Sequence, residues 1–149
     1  MAYEKSRSAG YLAAHMARLF ANGLHDRIRP LGLAPAQFMT LVELWSEEGL
    51  TQSDLVLRLD VEQATMANTL SRMERDGLIR RTPHPDDRRA RQNWLTEKAR
   101  SMKGPAIEAA LAQNETALAG FSEAEREQFL ALMRRAIDAM TAARETQRG

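Results

Sequence analysis

One stretch of the chain, residues 62–76, combines an apolar stripe with a face of short polar side chains. If it is helical, Met66, Leu70 and Met73 share one side, because they recur at intervals of three and four residues. The opposite face then carries Gln63, Ala64, Thr65, Asn68, Thr69 and Arg72. Asn and Gln can bond in a bidentate manner to adenine and Arg to guanine, and the methyl group of Thr or Ala can contact thymine. The face therefore has the chemistry to read DNA base edges, although a polar helix face in water has the same composition.

Arginines are concentrated just downstream, around a His-Pro-Asp-Asp turn. Residues 77–100 hold more basic than acidic side chains, although the net charge of the whole chain is only +1, and this favours a confined anionic partner. Arg88, Arg89 and Arg91 lie at or just after the predicted tip of a hairpin. Asp87 is close enough in sequence to hold the Arg89 guanidinium extended. Such an arm suits insertion into a narrow, electronegative minor groove; alternatively, its arginines only keep a hairpin edge soluble.

Periodicity and punctuation predict the elements that must position these residues. Helices are expected over residues 8–29, 35–48, 51–59, 62–76 and 96–119, and from the capping box Ser122–Glu125 onward. Leu78–Pro83 and Arg89–Leu95 are predicted to form a two-stranded hairpin, because the prolines between them exclude a helix. Neither face of the second strand is cleanly apolar, so we expect it to be weakly packed and mobile. Gly104-Pro105 is expected to kink the helix that contains it.

The short helix 51–59 and the longer helix 62–76, joined by a brief turn, resemble a helix-turn-helix. The arginine-tipped hairpin then makes the arrangement a winged helix-turn-helix. The predicted fold is mainly α, with long N- and C-terminal helices and a small β-hairpin wing. The core face of the helix over 35–48 is predicted to consist of Phe38, Leu41, Val42 and Trp45.

Composition and motifs exclude several functional classes. The chain has 149 residues, of which 44% are apolar and 28% charged, as expected for one globular domain. Because cysteine is absent, a disulfide scaffold, a thiol nucleophile and a thiolate metal site are excluded. The sequence lacks the glycine-rich, P-loop, G-x-S-x-G and H-E-x-x-H motifs, so we expect neither an enzyme nor a cofactor. With no long apolar run and no secretory h-region, we expect no membrane association and a cytoplasmic location.

Several stretches resemble the MarR family of bacterial transcription regulators. They are Leu31–Phe38, Gln63–Met66, Leu70–Arg81, Asp86–Ala90 and Leu95–Lys98. The likeness runs from about residue 8 to 145 and is most specific over residues 60–98. It implies a homodimer whose first and last helices intertwine, bound to a pseudo-palindromic operator in double-stranded DNA. It also implies release by a small, frequently aromatic ligand held between the dimerisation and DNA-binding regions.

The resemblance assigns roles to particular residues. Thr65, Asn68 and Arg72 fall in the recognition helix, while Asp87 and Arg89 match the Asp-x-Arg motif of the wing. Ser53 occupies a usual phosphate-contact position near the start of the preceding helix. The full set expected to contact DNA is Ser53, Gln63, Ala64, Thr65, Asn68, Thr69, Arg72, Asp87, Arg88, Arg89 and Arg91. An effector site is expected at His15, Met16, Phe20 and Trp45, although ordinary core packing explains such residues as well.

The chain also departs from the family pattern. Ala34 stands where Thr or Ser often caps a helix, so that helix loses a side-chain cap. Arg91 and Asn93 replace common branched apolar residues, which predicts a floppier or more basic wing. Ala99 replaces a frequent glycine.

Residues 8–30 and 100–145 are predicted to be dimerisation helices that flank a winged-helix region over residues 31–99. One apolar stripe is Leu12, Met16 and Leu19, and the other is Phe129, Met133, Ile137 and Met140. Both stripes exceed what a small winged helix needs, which favours burial between two chains. The predicted function is therefore a dimeric, sequence-specific DNA-binding regulator, a repressor in preference to an activator. The alternative is a helical protein-interaction module without DNA binding.

Overall fold

The computed structural model describes residues 2–149. In this range the α-helices are α1 (Ala9–Ile28), α2 (Pro35–Ser46), α3 (Gln52–Leu59), α4 (Gln63–Arg75), α5 (Glu97–Leu118) and α6 (Glu123–Arg148). The strands are β1 (Leu50–Thr51), β2 (Ile79–Pro83) and β3 (Arg91–Leu95). The prediction of a mainly α fold with a winged helix is confirmed. Helix α5 continues through Pro105.

Side-chain caps begin the helices near the predicted positions. The Thr51 hydroxyl accepts from the Asp54 amide at 3.1 Å, and the Asp54 carboxylate accepts from the Thr51 amide at 2.9 Å. Ser122 and Glu125 form the same reciprocal pair at the start of α6. Each pair supplies partners for amide groups that a helix terminus leaves free, so these two starts were readable from sequence.

Helix α2 lacks such a side-chain cap, as expected from Ala34. The amide of the N-cap residue Ala34 is satisfied by Gln37, whose Oε1 accepts from the Ala34 N–H at 3.1 Å. The Nε2 group of Gln37 also donates to Asp76 Oδ2 at 3.0 Å. One glutamine therefore caps the start of α2 and ties it to the end of α4.

The core of the winged-helix region is formed by apolar residues from α1, α2, α3, α4, α5 and the sheet. Its fully buried members include Ile28, Leu41, Leu44, Leu55, Leu70 and Met73. The predicted α4 stripe of Met66, Leu70 and Met73 is confirmed. The predicted face of α2 is wrong at Val42, which is exposed, while Leu44 is fully buried. The α2 stripe follows a three-residue spacing from Phe38 through Leu41 to Leu44, and this turns Val42 outward.

The sheet has a third strand that the sequence pattern missed. The predicted hairpin of β2 and β3 is confirmed. Strand β3 also pairs antiparallel with β1, so it lies in the centre of a three-stranded sheet, and the prediction of only two strands is wrong. The prediction of weak packing is also wrong for the base of β3, because Asn93 and Leu95 are buried. Asn93 tolerates burial because its Nδ2 donates to the Leu50 carbonyl on β1 at 2.9 Å. A two-residue strand has no periodicity of its own, so only the partner strand identifies it.

The chain divides into two compact units, one up to Gln113 and the other Asn114–Gly149. In the second unit, Arg126 Nη1 donates to Glu115 Oε1 at 2.6 Å. The Phe121 and Phe129 rings meet edge to face with their centroids 5.4 Å apart. These contacts hold the last turns of α5 against the beginning of α6.

Glu48 connects the base of the wing to α5. Its carboxylate accepts from the Leu95 amide at 2.8 Å and from Arg100 Nη2 at 3.1 Å. Burial raises the pKa of the Glu48 carboxyl, but the Leu95 amide, Arg100 and the nearby charge of Arg80 together bring that pKa below its ordinary value. The ionised form is therefore the one that the folded chain favours.

We expect Glu48→Gln to lower the free energy of unfolding near neutral pH by about 1 kcal/mol, a value reduced by solvent screening of the ion pair. Because the pKa of the folded state is lowered, the stabilising contribution of Glu48 is present above the ordinary carboxyl pKa of about 4.3. It disappears as the pH falls through the folded-state value. Urea unfolding of both proteins at several pH values measures the difference.

The matched control is Glu97→Gln, since Glu97 pairs with the same arginine at 3.6 Å but its side chain is 92% exposed. Its effect on the free energy of unfolding should stay within a few tenths of a kcal/mol, roughly the value of a surface pair. If the difference in free energy of unfolding between the wild type and Glu48→Gln does not change with pH, the assigned role of the ionised carboxylate is contradicted.

Candidate nucleic-acid interface

Helix α4 presents the predicted polar face to solvent at all but one position. Its exposed members are Gln63, Ala64, Thr65, Asn68 and Arg72. Within residues 2–149, the side chains of Asn68 and Arg72 have no hydrogen-bond or ion-pair partner. Their donors and acceptors are therefore available to an external ligand.

Thr69 corrects the prediction, because it is only 9% exposed. It follows Met66 by three residues and precedes Met73 by four, which places it on the core stripe. Its hydroxyl donates to the Thr65 carbonyl at 2.9 Å, so the polar atom keeps a partner inside the protein. Thr69 therefore presents little of its side chain to an external ligand, and the prediction that it lies on the exposed face is wrong.

A tight turn joins α3 to α4. Asp60 adopts a left-handed conformation with φ of 53°, which aspartate tolerates better than most non-glycine residues. Across the helix pair, Gln52 Nε2 donates to Gln63 Oε1 at 3.0 Å. Ser53, the predicted phosphate contact, is exposed near the start of α3. The turn therefore brings the beginnings of both helices close together.

The tip of the wing holds the predicted Asp87–Arg89 pair. Asp87 Oδ1 accepts from the Arg89 amide at 2.9 Å and lies 3.8 Å from Arg89 Nε. The turn is closed by a bond from the Ala90 amide to the Asp87 carbonyl at 3.1 Å. The Arg89 side chain is 95% exposed, so its charge projects into solvent from a turn that Asp87 organises.

The remaining wing arginines have different surroundings. Arg88 is exposed. Arg91 pairs with Glu74 of α4, with Nη2 and Oε2 3.7 Å apart. Arg91 therefore reaches α4 and Asn93 bonds to β1, so both residues add contacts to the wing.

The inner face of the wing and the starts of α3 and α4 enclose a polar cleft of about 330 Å³. Its lining includes Ser53, Gln63, Arg81, Asp87, Arg89 and Arg91. Five predicted wing and helix-start residues thus meet Arg81, which was not among the expected DNA contacts. Alternation along β2 was the available signal, because Arg81 shares a face with the buried Ile79.

The predicted effector residues do not share one environment. His15 is exposed on α1, whereas Met16 and Phe20 are half-buried. Trp45 packs edge to face on Phe38, and its Nε1–H donates to the Ala99 carbonyl at 3.1 Å. Core packing accounts for the position of Trp45.

Within residues 2–149, no group of three or more potential ligand side chains is placed to bind a metal ion. No helix there is both long and apolar enough to cross a bilayer.

Comparison with known proteins gives consistent matches. A sequence model of the MarR family matches residues 33–90. The HTH-type transcriptional regulator TtmR of Methylorubrum extorquens is 33% identical over 96 residues, which make up 64% of this chain and 48% of TtmR. The match thus spans about half the length of that relative. The transcriptional regulator HosA of Escherichia coli O111:H- is 32% identical over 107 residues, covering 72% of this chain and 79% of HosA.

The fold has a counterpart of known structure. A MarR family transcriptional regulator from Listeria monocytogenes, complexed with a 26-mer DNA, superposes with a TM-score of 0.84. The two share 23% identity, and the superposition covers 92% of this chain and 91% of the other. The helix order, the wing with its Asp-x-Arg tip and the related sequences agree, and we conclude that this chain belongs to the MarR family.

Proposed function

We propose that this protein regulates transcription as a homodimer that binds a pseudo-palindromic DNA operator, acting as a repressor. The observation that carries the proposal is the exposed face of α4, whose Asn68 and Arg72 side chains have no partner within the described part of the chain. Beside this face, the wing presents the exposed Arg89 guanidinium. Helix and wing together match the two ways in which winged helices contact duplex DNA, through base edges and through the minor groove.

The proposed contacts divide by chemistry. Base reading belongs to α4, through Gln63, Ala64, Thr65, Asn68 and Arg72. Phosphate contacts belong to Ser53, Arg88 and Arg91, and they position the protein without reading sequence. Arg89, organised by Asp87, enters the minor groove. Much of the affinity then comes from neutralised phosphates, so binding must weaken steeply as the salt concentration rises.

We expect Asn68→Ala to reduce discrimination at particular base pairs by about 1–3 kcal/mol. The physical reason is the loss of an amide that can bond to a base edge in a bidentate manner. The measurement is fluorescence anisotropy on an operator obtained by in vitro selection with the wild-type protein, together with its single base-pair variants. Arg72→Ala should act in the same way at a different base pair.

Asn114→Ala is the matched control, since it removes the same exposed amide from α5. It should leave both affinity and discrimination unchanged. If Asn68→Ala weakens binding to every duplex by the same factor, α4 does not read bases through this residue.

The dimer is supported by apolar side chains exposed on the long helices. On α1, Leu12 is 49% and Leu19 58% exposed. On α6, Ile137 is 53% and Met140 63% exposed. A second copy of the chain would remove these surfaces from water, and two symmetric wings would then reach successive half-sites of an operator.

We therefore expect Ile137→Asp to shift the protein from dimer to monomer in sedimentation experiments, because the interface would have to bury an unpaired charge. Leu57→Asp makes a comparable change at a leucine of α3 that is 69% exposed, and it should leave the protein dimeric. A monomeric wild type would contradict the proposal for the oligomeric state.

An aromatic effector is a second part of the proposal, and it rests on the half-buried Met16 and Phe20 of α1, with His15 exposed nearby. A ligand releases DNA only if it binds the DNA-competent and incompetent conformations with different affinities. A panel of aromatic acids should therefore contain members that raise the melting temperature and weaken operator binding. If no compound raises the melting temperature or weakens operator binding, the effector is excluded for that panel.

If the protein shows no salt-sensitive binding to any duplex, the helical protein-interaction module becomes the better functional account of the fold.

A further inference from the structure

The inner face of the wing becomes more polar from its base to its tip. At the base, Ile79 lies opposite Leu95, and both are buried. The next pair on this face is Arg81 opposite Asn93, and the last is Pro83 opposite Arg91. Directly opposed residues of an antiparallel pair have Cβ atoms roughly 5 Å apart, so their side chains can interact.

The middle pair carries two unsatisfied groups of opposite kind. Asn93 is fully buried, and while its Nδ2 donates to the Leu50 carbonyl, its Oδ1 has no partner. The Nε of Arg81 is also buried and has no partner. A buried polar atom without a partner is unfavourable. Here a donor and an acceptor, each lacking a partner, belong to directly opposed residues of adjacent strands.

Arg81 also borders the cleft in front of α3, together with Arg89 and Arg91. Asp87 is the acidic member of that lining. Burial lowers the pKa of the Arg81 guanidinium, the charge of Arg91 lowers it further, and Glu74 raises it. The Arg81 guanidinium nevertheless stays protonated near neutral pH, because the ordinary pKa of arginine lies far above that range. Arg81 is thus a partly buried cation beside two further arginines, and an anion in the cleft would compensate charge that Asp87 and Glu74 share among three guanidinium groups.

We propose that this cleft binds a backbone phosphate of DNA, with Arg81 as its main contact and Asn93 as the residue that positions Arg81. When the Asn93 Oδ1 accepts from Nε, the two terminal nitrogens of the guanidinium remain free to bond to two phosphate oxygens. The inference rests on the proposed DNA-binding function and adds to it a contact that the Asp-x-Arg tip does not supply.

The test uses the full-length protein and its selected operator. Arg81→Gln should weaken binding to all duplexes by a similar factor, roughly tenfold per subunit, because a phosphate contact carries no sequence information. It should also lower the slope of log affinity against log salt concentration by about 0.9 per subunit. Arg81→Lys should retain most of the slope but recover only part of the affinity, since lysine lacks the bidentate fork.

Asn93→Leu tests positioning by means of a double-mutant cycle. If Asn93 acts through Arg81, the leucine substitution weakens DNA binding when Arg81 is present and has no further effect on binding by Arg81→Gln. A purely structural role would reduce binding by the same factor in both backgrounds, which would overturn the positioning role. Thermal unfolding identifies any variant that does not fold, and the two Arg81 variants then decide the phosphate contact.

Failure of the phosphate site can be distinguished from failure of the proposed DNA-binding function. If Arg81→Gln leaves affinity and salt slope unchanged while Arg89→Ala weakens binding, the cleft is not a phosphate site and the DNA-binding function stands. If the wild-type protein binds no duplex, the proposed function itself is wrong.

Discussion

Arg89→Ala is expected to weaken operator binding by roughly a hundredfold, which corresponds to about tenfold for each wing of the dimer. The side chain is 95% exposed and begins from a turn that Asp87 organises through the Arg89 amide. Because Asp87 fixes the backbone of this turn, the Arg89 guanidinium would reach the proposed minor-groove site with little backbone reorganisation, and a smaller ordering cost strengthens binding. Fluorescence anisotropy at several salt concentrations measures both the loss of affinity and the change in slope.

Preference for A·T-rich flanking sequence should fall in parallel, because a narrow minor groove attracts arginine most strongly. Arg89→Lys should restore part of the affinity, since it keeps the charge but loses the planar fork. Lys103→Ala removes one charge from an exposed position on α5 and serves as the control for net charge. Unchanged affinity for Arg89→Ala would refute the assignment of the wing as a DNA contact.

Leu70→Ala is expected to lower the free energy of unfolding by about 3–4 kcal/mol, within the range for large-to-small substitutions in a closed core. Leu70 is fully buried on α4, between Met66 and Met73. Shortening it removes apolar contact area and leaves a cavity that the surrounding helices fill only in part. Because the same helix carries the polar face, loss of this packing also loosens the surface proposed to read DNA. Urea unfolding followed by circular dichroism measures the change.

Leu57→Ala makes the identical chemical change at a leucine that is 69% exposed, and it should alter stability by less than about 0.5 kcal/mol. The pair therefore separates burial from helix propensity, since both leucines lie in helices of the winged-helix region. Similar losses for both variants would contradict the placement of Leu70 in the core.

The sequence alone determined the features that depend on neighbouring residues. The capping boxes at Thr51 and Ser122 mark helix starts because their partners lie three residues away. The core stripe of α4 follows from a repeat within one helix, and the Asp87–Arg89 pair follows from a spacing of two residues. The likeness to the MarR family adds an expected wing, dimer and operator, because the same local motifs recur there. Most of the proposed DNA-contacting surface can therefore be predicted from the sequence.

Only the tertiary structure decided which borderline residues are buried and which distant groups meet. Thr69 and Val42 lie at the edges of helical stripes, where a rotation of a few tens of degrees exchanges core for solvent. Arg81 and Asn93 are twelve residues apart in the chain, and only the strand register places them opposite each other. Strand β1 is defined by its pairing with β3. The position of Trp45 is set by its contacts with the Phe38 ring and the Ala99 carbonyl. The physical reason is that local periodicity defines an element and its faces, whereas its exact rotation and its partners depend on side chains from the rest of the chain.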